Sequence, residues 1–95
     1  MAAYVVFTKV KTRDPAEMAN YGKKAKAAGA GHRMTARVVY GRHEVLEGPP
    51  IEGMVIVEFP SMEEAKAWYN SPAYQDARKH RFAGADYTAV IVEGI

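Results

Sequence analysis

The sequence predicts an α+β fold in which one strand–helix–strand unit occurs twice. Three observations carry this expectation. Runs rich in β-branched and aromatic residues alternate with amphipathic, capped helical stretches. The second half of the chain repeats the order of the first in stronger form. The distance from helix cap to first large inward aromatic is seven residues in both halves, Asp14 to Tyr21 and Ser61 to Trp68.

Tyr4-Val5-Val6-Phe7-Thr8-Lys9-Val10 has the composition of a strand. Asp14-Pro15-Ala16-Glu17 reads as a helix start: the Asp14 carboxylate can accept an orphan amide, Pro15 suits the first helical position, and Glu17 lies where the helix dipole favours an acid. Met18, Tyr21, Ala25 and Ala28 follow as a buried stripe, and Gly29-Ala30-Gly31 ends it. Arg37 to Leu46 is the expected second strand, with a bulge or kink at Gly41, and Gly48-Pro49-Pro50 makes the turn. Met54 to Phe59 is the third strand, stopped by Pro60. Ser61-Met62-Glu63-Glu64 has the form of a capping box, and Ala65, Trp68 and Tyr69 make the inward face. Ser71-Pro72 recaps a further helical segment reaching about His80, and Asp86 to Glu93 is the last strand.

The order β-α-β-β-α-β is the ferredoxin-like plan: an antiparallel sheet with two helices on one face, formed as a single domain over residues 1–95. The other face has no layer of its own. Yet the central strands are apolar on both sides, with Val55, Val57 and Phe59 opposing Met54 and Ile56, and Tyr87, Ala89 and Ile91 opposing Val90 and Val92. A half-solvated sheet should alternate apolar and polar residues. A second copy of the chain is the expected cover, giving a homodimer.

A chain of 95 residues is long enough for one compact domain and too short for two, and it gains from burying surface against a partner. Its net charge is +2, with acids and bases interspersed, so no polyanion is implied as a partner. The absence of cysteine excludes disulfides, thiolate metal sites and thiol catalysis. No apolar run approaches the about 20 residues that span a bilayer, and Met1-Ala2-Ala3-Tyr4 lacks the form of a signal peptide, so no membrane partner and a cytoplasmic location are expected. Glu52 to Phe59 overlays an RNA-binding strand motif at its glycine, its valine and its final aromatic. The stacking positions are Met54 and Ile56, however, and Glu52 replaces the leading cation, so no nucleic acid is expected as a partner.

His32, His43 and His80 form no ligand spacing, so neither a metal site nor a cofactor is called for. His43, between Arg42 and Glu44, is the best placed of the three as a proton carrier; the plainer reading is an exposed strand histidine. Glu58 is the one charge in an apolar central strand. It is either a weak general acid–base candidate or half of an ion pair with Arg81, Arg78 or a partner-chain arginine. Tyr4, Tyr21, Trp68, Tyr69 and Tyr74 either line a pocket between helices and sheet or simply fill the core. Tyr74, Ala77 and Arg81 share one helix face, which turns Arg81 inward. An inward guanidinium pairs with Glu58 or helix-end carbonyls, or grips a ligand carboxylate or enolate.

Glu47-Gly48, Val57-Glu58-Phe59-Pro60-Ser61, Ala67-Trp68-Tyr69-Asn70-Ser71-Pro72-Ala73-Tyr74-Gln75 and Val92-Glu93-Gly94 together resemble the family called domain of unknown function 1330. The resemblance implies a dimeric α/β-barrel, two ferredoxin-like subunits packed sheet to sheet. That superfamily also holds cofactor-free monooxygenases, isomerases and haem-dependent enzymes, so it implies no single reaction. The family's motif positions carry over as Tyr21, Glu47, Glu58, Ser71, Tyr74 and Arg81, while His32-Arg33 and Val39-Tyr40-Gly41 depart from its pattern. The expectation is a small organic ligand held by Tyr21, Trp68, Tyr74 and Arg81. A cofactor-independent monooxygenase or isomerase of aromatic or conjugated substrates, and a structural module with a filled core, stand as alternatives.

Overall fold

In the computed structural model, which describes residues 1–95, the chain runs β1 (Ala3–Thr12), α1 (Pro15–Ala28), β2 (Thr35–Val39), β3 (Gly53–Phe59), α2 (Met62–Tyr69), α3 (Pro72–Gly84) and β4 (Ala85–Glu93). The strands form one antiparallel sheet in the order β2-β3-β1-β4. This is the predicted ferredoxin-like arrangement, with α2 and α3 together in the place of the second helix. No helix is long and apolar enough to cross a membrane.

The caps form where the sequence places them, with one difference. Asp14 Oδ1 accepts from the amides of Ala16 and Glu17 at 3.1 and 3.3 Å, and Ser61 Oγ accepts from the amide of Glu64 at 3.2 Å. The expected return bond from Glu64 to the Ser61 amide is not made. Glu64 instead receives Nε and Nη2 of Arg33 at 3.0 and 2.8 Å, because a charged fork is a stronger donor than a backbone amide. The ion pair ties the entry to β2 onto α2.

Strand two departs most from expectation. It ends at Val39 rather than Leu46, so His43 lies in an irregular segment and not on a strand. The bulge falls at Arg37, where the register with β3 shifts between Ala36 and Val38, and not at Gly41. Tyr40 turns the chain out of the sheet at φ 52°, immediately after its amide makes a bond of 2.8 Å to Met54 O. A bulky residue in the left-handed region costs about 1–3 kcal/mol and persists only where its side chain is well held.

Odd-numbered residues of β1 face the helices. Ala3, Val5 and Phe7 are buried there with Val57 and Phe59 of β3 and with Ala65, Trp68, Tyr74 and Ala77 of α2 and α3. The opposite face carries Tyr4, Val6, Met54 and Ile56, half-buried by their neighbours, and Val90 and Val92, 57% and 48% exposed. No element of the chain covers that face. On the helical side, α1 packs chiefly on α3. Gly84 O accepts from the amides of Arg13 and Asp14 at 2.7 and 2.9 Å, and Lys24 and His80 meet Asp76 and Glu17 at 2.6 and 2.7 Å.

Two helical glycines predict opposite outcomes for one substitution. A Cβ at Gly22 would meet no atom within 4 Å, so Gly22→Ala should stabilise by about 0.5–1 kcal/mol through helix propensity. At Gly84 a Cβ would lie 3.0 Å from Met18 Cγ and Sδ and 3.1 Å from the Met18 amide nitrogen, so Gly84→Ala should destabilise. Urea unfolding of the two variants measures both signs. A gain at Gly84 would show that α1 can move away from α3 without cost.

Candidate functional site

Because α1 leans on α3, a cleft of about 770 Å³ opens between α1 and the sheet. Phe7, Val55 and Val57 line its sheet side, with Ala36 and Val39 from β2. Met18, Tyr21, Gly22 and Ala25 line its helix side, and Trp68 and Met34 complete the apolar wall. This volume lies within the range of about 300–1,000 Å³ typical of small-molecule sites.

Trp68 owes its position to the break between α2 and α3. Two residues six apart on one continuous helix point about 120° away from each other. Here Ser71 Oγ donates to Trp68 O at 2.7 Å, ending α2, and accepts from the Tyr74 amide at 3.3 Å, starting α3. The two rings then stack with centroids 4.1 Å apart. Phe59 and Phe7 pack on the same indole at 5.3 and 6.3 Å. The Tyr74 hydroxyl lies 2.7 Å from that of Tyr21, so α1 is held to the cluster by a phenol pair. Trp68 Nε1 is buried and has no hydrogen-bond partner.

A second phenol pair closes another side of the cleft. Tyr40 and Tyr87, both lining it, are bonded hydroxyl to hydroxyl. The Tyr40 ring reaches across Gly53, where a Cβ would lie 2.7 Å from Tyr40 Cδ1; only glycine leaves that path free. Lys9 Nζ stands 4.7 Å from the centroid of the same ring and 3.8 Å from Glu52 Oε1. Tyr40, Tyr87 and Lys9 are not among the site residues that the sequence points to. Tyr87 and Lys9 face each other across the β1–β4 register, but Tyr40 arrives through an irregular segment that no periodicity describes.

Arg81 is 3% exposed, turned inward as its helix face predicts. Its partner is neither Glu58 nor a helix-end carbonyl. Its guanidinium carbon lies 5.1, 5.0 and 5.2 Å from the ring centroids of Phe7, Phe82 and Tyr87, and Nη2 donates to the Tyr69 hydroxyl at 3.3 Å. Nε has no partner. Cation–π contacts of about 0.5–2 kcal/mol each offset only part of the several kcal/mol that burying an ion costs. Arg81 is not itself on the cleft wall; it stands behind Phe7 and Tyr87, which are.

The other sequence candidates separate from this cluster. Glu58 pairs in register with Tyr4, so it lies on the uncovered face, and Arg37 Nε meets its carboxylate at 2.7 Å. Strand alternation is the reason: Val57 and Phe59 take the helical side, so Glu58 cannot reach Arg81. His43 is exposed, its Nε2 3.3 Å from Ile51 O, away from the cleft lining. Tyr4 also sits on the uncovered face, with its ring over Gly94. Of the four residues expected to bind a ligand, Tyr21 and Trp68 line the cleft, while Tyr74 and Arg81 buttress it from behind.

Burial raises the pKa of Tyr21, Tyr74 and Tyr87; the Tyr74 charge adds to the rise at Tyr21, and the bond to Tyr40 adds to it at Tyr87. These phenols therefore stay neutral and serve as hydrogen-bonding groups rather than bases. Unfolded, they ionise near 10.0, below their folded values. The stability they carry is complete below pH 10 and is lost as pH rises beyond it. The thermal midpoint should fall above about pH 10, and Tyr21→Phe should make that fall shallower. An identical alkaline slope in the variant would show that Tyr21 does not contribute.

No curated protein matches the chain. Among solved structures it is similar to RPA0582, a protein of unknown function from Rhodopseudomonas palustris, with 20% identity and a TM-score of 0.78 over 99% of this chain and 82% of that one. It is also similar to a dimeric ferredoxin-like protein of unknown function from Jannaschia sp. CCS1, with 14% identity and a TM-score of 0.72 over 99% and 100% of the two chains. SnoaB, a cofactor-independent oxygenase from Streptomyces nogalater, aligns at 14% identity with a TM-score of 0.57 over 99% and 92%. At these identities the likeness shows the ferredoxin-like fold alone. Residues 2–95 match the family described as domain of unknown function DUF1330, and the chain belongs to that family.

Proposed function

We propose that the protein is a homodimer that binds a small organic molecule in the cleft between α1 and the sheet. The observation that carries this reading is the cleft itself, about 770 Å³ and walled mainly by apolar and aromatic side chains. A module with a filled core would leave no such space. The homodimer rests on the apolar face of Tyr4, Val6, Met54, Ile56, Val90 and Val92 that nothing in the chain covers, and similar structures from other organisms are described as dimeric.

The oxygenase or isomerase reading is supported by the likeness of fold to SnoaB. It is the weaker of the two on chemical grounds. Deprotonating an aromatic or conjugated substrate needs a base, and the cleft lining contains no carboxylate and no imidazole. Its phenols are held neutral by burial.

Trp68 is the one tryptophan and lies on the cleft wall, so the fluorescence has a single source there. A small aromatic library should contain compounds that perturb it and raise the thermal midpoint, by about 2.7 kcal/mol of stability at a hundredfold excess over Kd. Gly22→Leu, which directs a side chain into the space above Val55 and Val57, should abolish both effects while the empty protein stays folded. Binding that survives Gly22→Leu unchanged would move the site elsewhere.

For assembly, light scattering at micromolar concentration should give twice the chain mass. Ile56→Lys, placing a charge on the face assigned to the partner chain, should yield a monomer destabilised by about 2–3 kcal/mol. A wild-type thermal midpoint in that variant would mean that the face is solvated.

A further inference from the structure

We infer that the cleft is built for a ligand carrying an anionic oxygen, a carboxylate or an enolate, on an aromatic or conjugated body. This rests on the proposed binding cleft and names the chemistry that fills it. Trp68 lines the cleft, is 3% exposed, and its Nε1–H has no acceptor. Of the Tyr21–Tyr74 hydroxyl pair, one oxygen donates to the other, and the second hydrogen is left to find an acceptor. Unsatisfied donors in a low-dielectric site are costly, and a ligand oxygen relieves that cost.

Charge points the same way. The cleft lining includes two cations, Lys9 and Lys26, and no anion. Lys9 has the Glu52 carboxylate at 3.8 Å, and Lys26 has no carboxylate within 4 Å. Arg81 adds a third positive charge one ring's thickness behind Phe7 and Tyr87, and no carboxylate lies within 4 Å of it. Its field reaches the wall: the Arg81 charge opposes the burial-driven rise in pKa at Tyr21, Tyr74 and Tyr87 alike. A neutral apolar ligand would leave this positive potential and these donors unanswered. The body of the ligand is set by the flat apolar walls of Phe7, Trp68 and Tyr21.

The test compares three probes of one shape by calorimetry at pH 7: 2-naphthoate, 2-naphthamide and 2-(aminomethyl)naphthalene. The carboxylate should bind at least tenfold tighter than the amide, and the ammonium should not bind. In Arg81→Met the carboxylate-to-amide ratio should fall toward one while amide binding is kept. Trp68→Phe, which keeps a ring and removes the N–H, should weaken the carboxylate without unfolding the protein. If Arg81→Met does not fold, the wild-type ratio decides the matter. Equal binding of carboxylate and amide overturns the anionic preference and leaves the cleft as a binding site. Failure of all three probes, together with a fluorescence screen that finds no ligand, overturns both.

Discussion

Trp68 and Tyr74 stack at 4.1 Å only because Ser71 ends one helix and begins another between them. In an uninterrupted helix the two rings would face different directions. With the break, they form a column from the sheet outward: Phe7 and Phe59 below, the indole and Tyr74 in the middle, Tyr21 of α1 at the top. The hydroxyl pair of Tyr21 and Tyr74 fixes α1 at the height of this column rather than at contact distance from β2 and β3. The cleft is the space this prop leaves open. Its size is thus set by the helix break, although Ser71 itself lines no part of it.

Most of the fold was legible because it rests on local signals that act independently of context. Asp14-Pro15, Ser61 and Ser71-Pro72 start helices in the structure as their chemistry requires. The composition of β1, β3 and β4 gave their existence and their two apolar faces. The errors fall where a distant partner decides the outcome. Glu64 turns to Arg33 and away from its own cap. Strand two stops after five residues, at Val39, because Tyr40 is drawn across Gly53 to Tyr87, a contact between segments far apart in sequence. The site was half legible: helical spacing placed Tyr21, Trp68, Tyr74 and Arg81 inward, but alternation on β3 should have removed Glu58 from their company, since Val57 and Phe59 are its neighbours.

The electrostatics of the cluster are consistent only when read together. Burial pushes the phenols toward neutrality, and a guanidinium buried among the same rings opposes that push. Burial prevails at all three phenols, so none ionises, and the cation has π faces and one phenol oxygen in place of a counter-charge. An arginine in such a setting is weak evidence for stability, since an apolar residue of similar volume would avoid its desolvation.

The same two central strands carry both the cleft wall and the uncovered face. Phe7, Val55 and Val57 line the cleft, while Val6, Met54 and Ile56, between or beside them in sequence, make the uncovered face. Strand alternation keeps the two sets apart by the thickness of one sheet. A slip of one residue of β3 against β1 would turn Val55 and Val57 to the uncovered face and bring Glu58 to the helical side. That coupling explains why both faces of these strands are apolar without being interchangeable. The charge of Glu58, neutralised by Arg37 at the end of the uncovered face, marks which side is which.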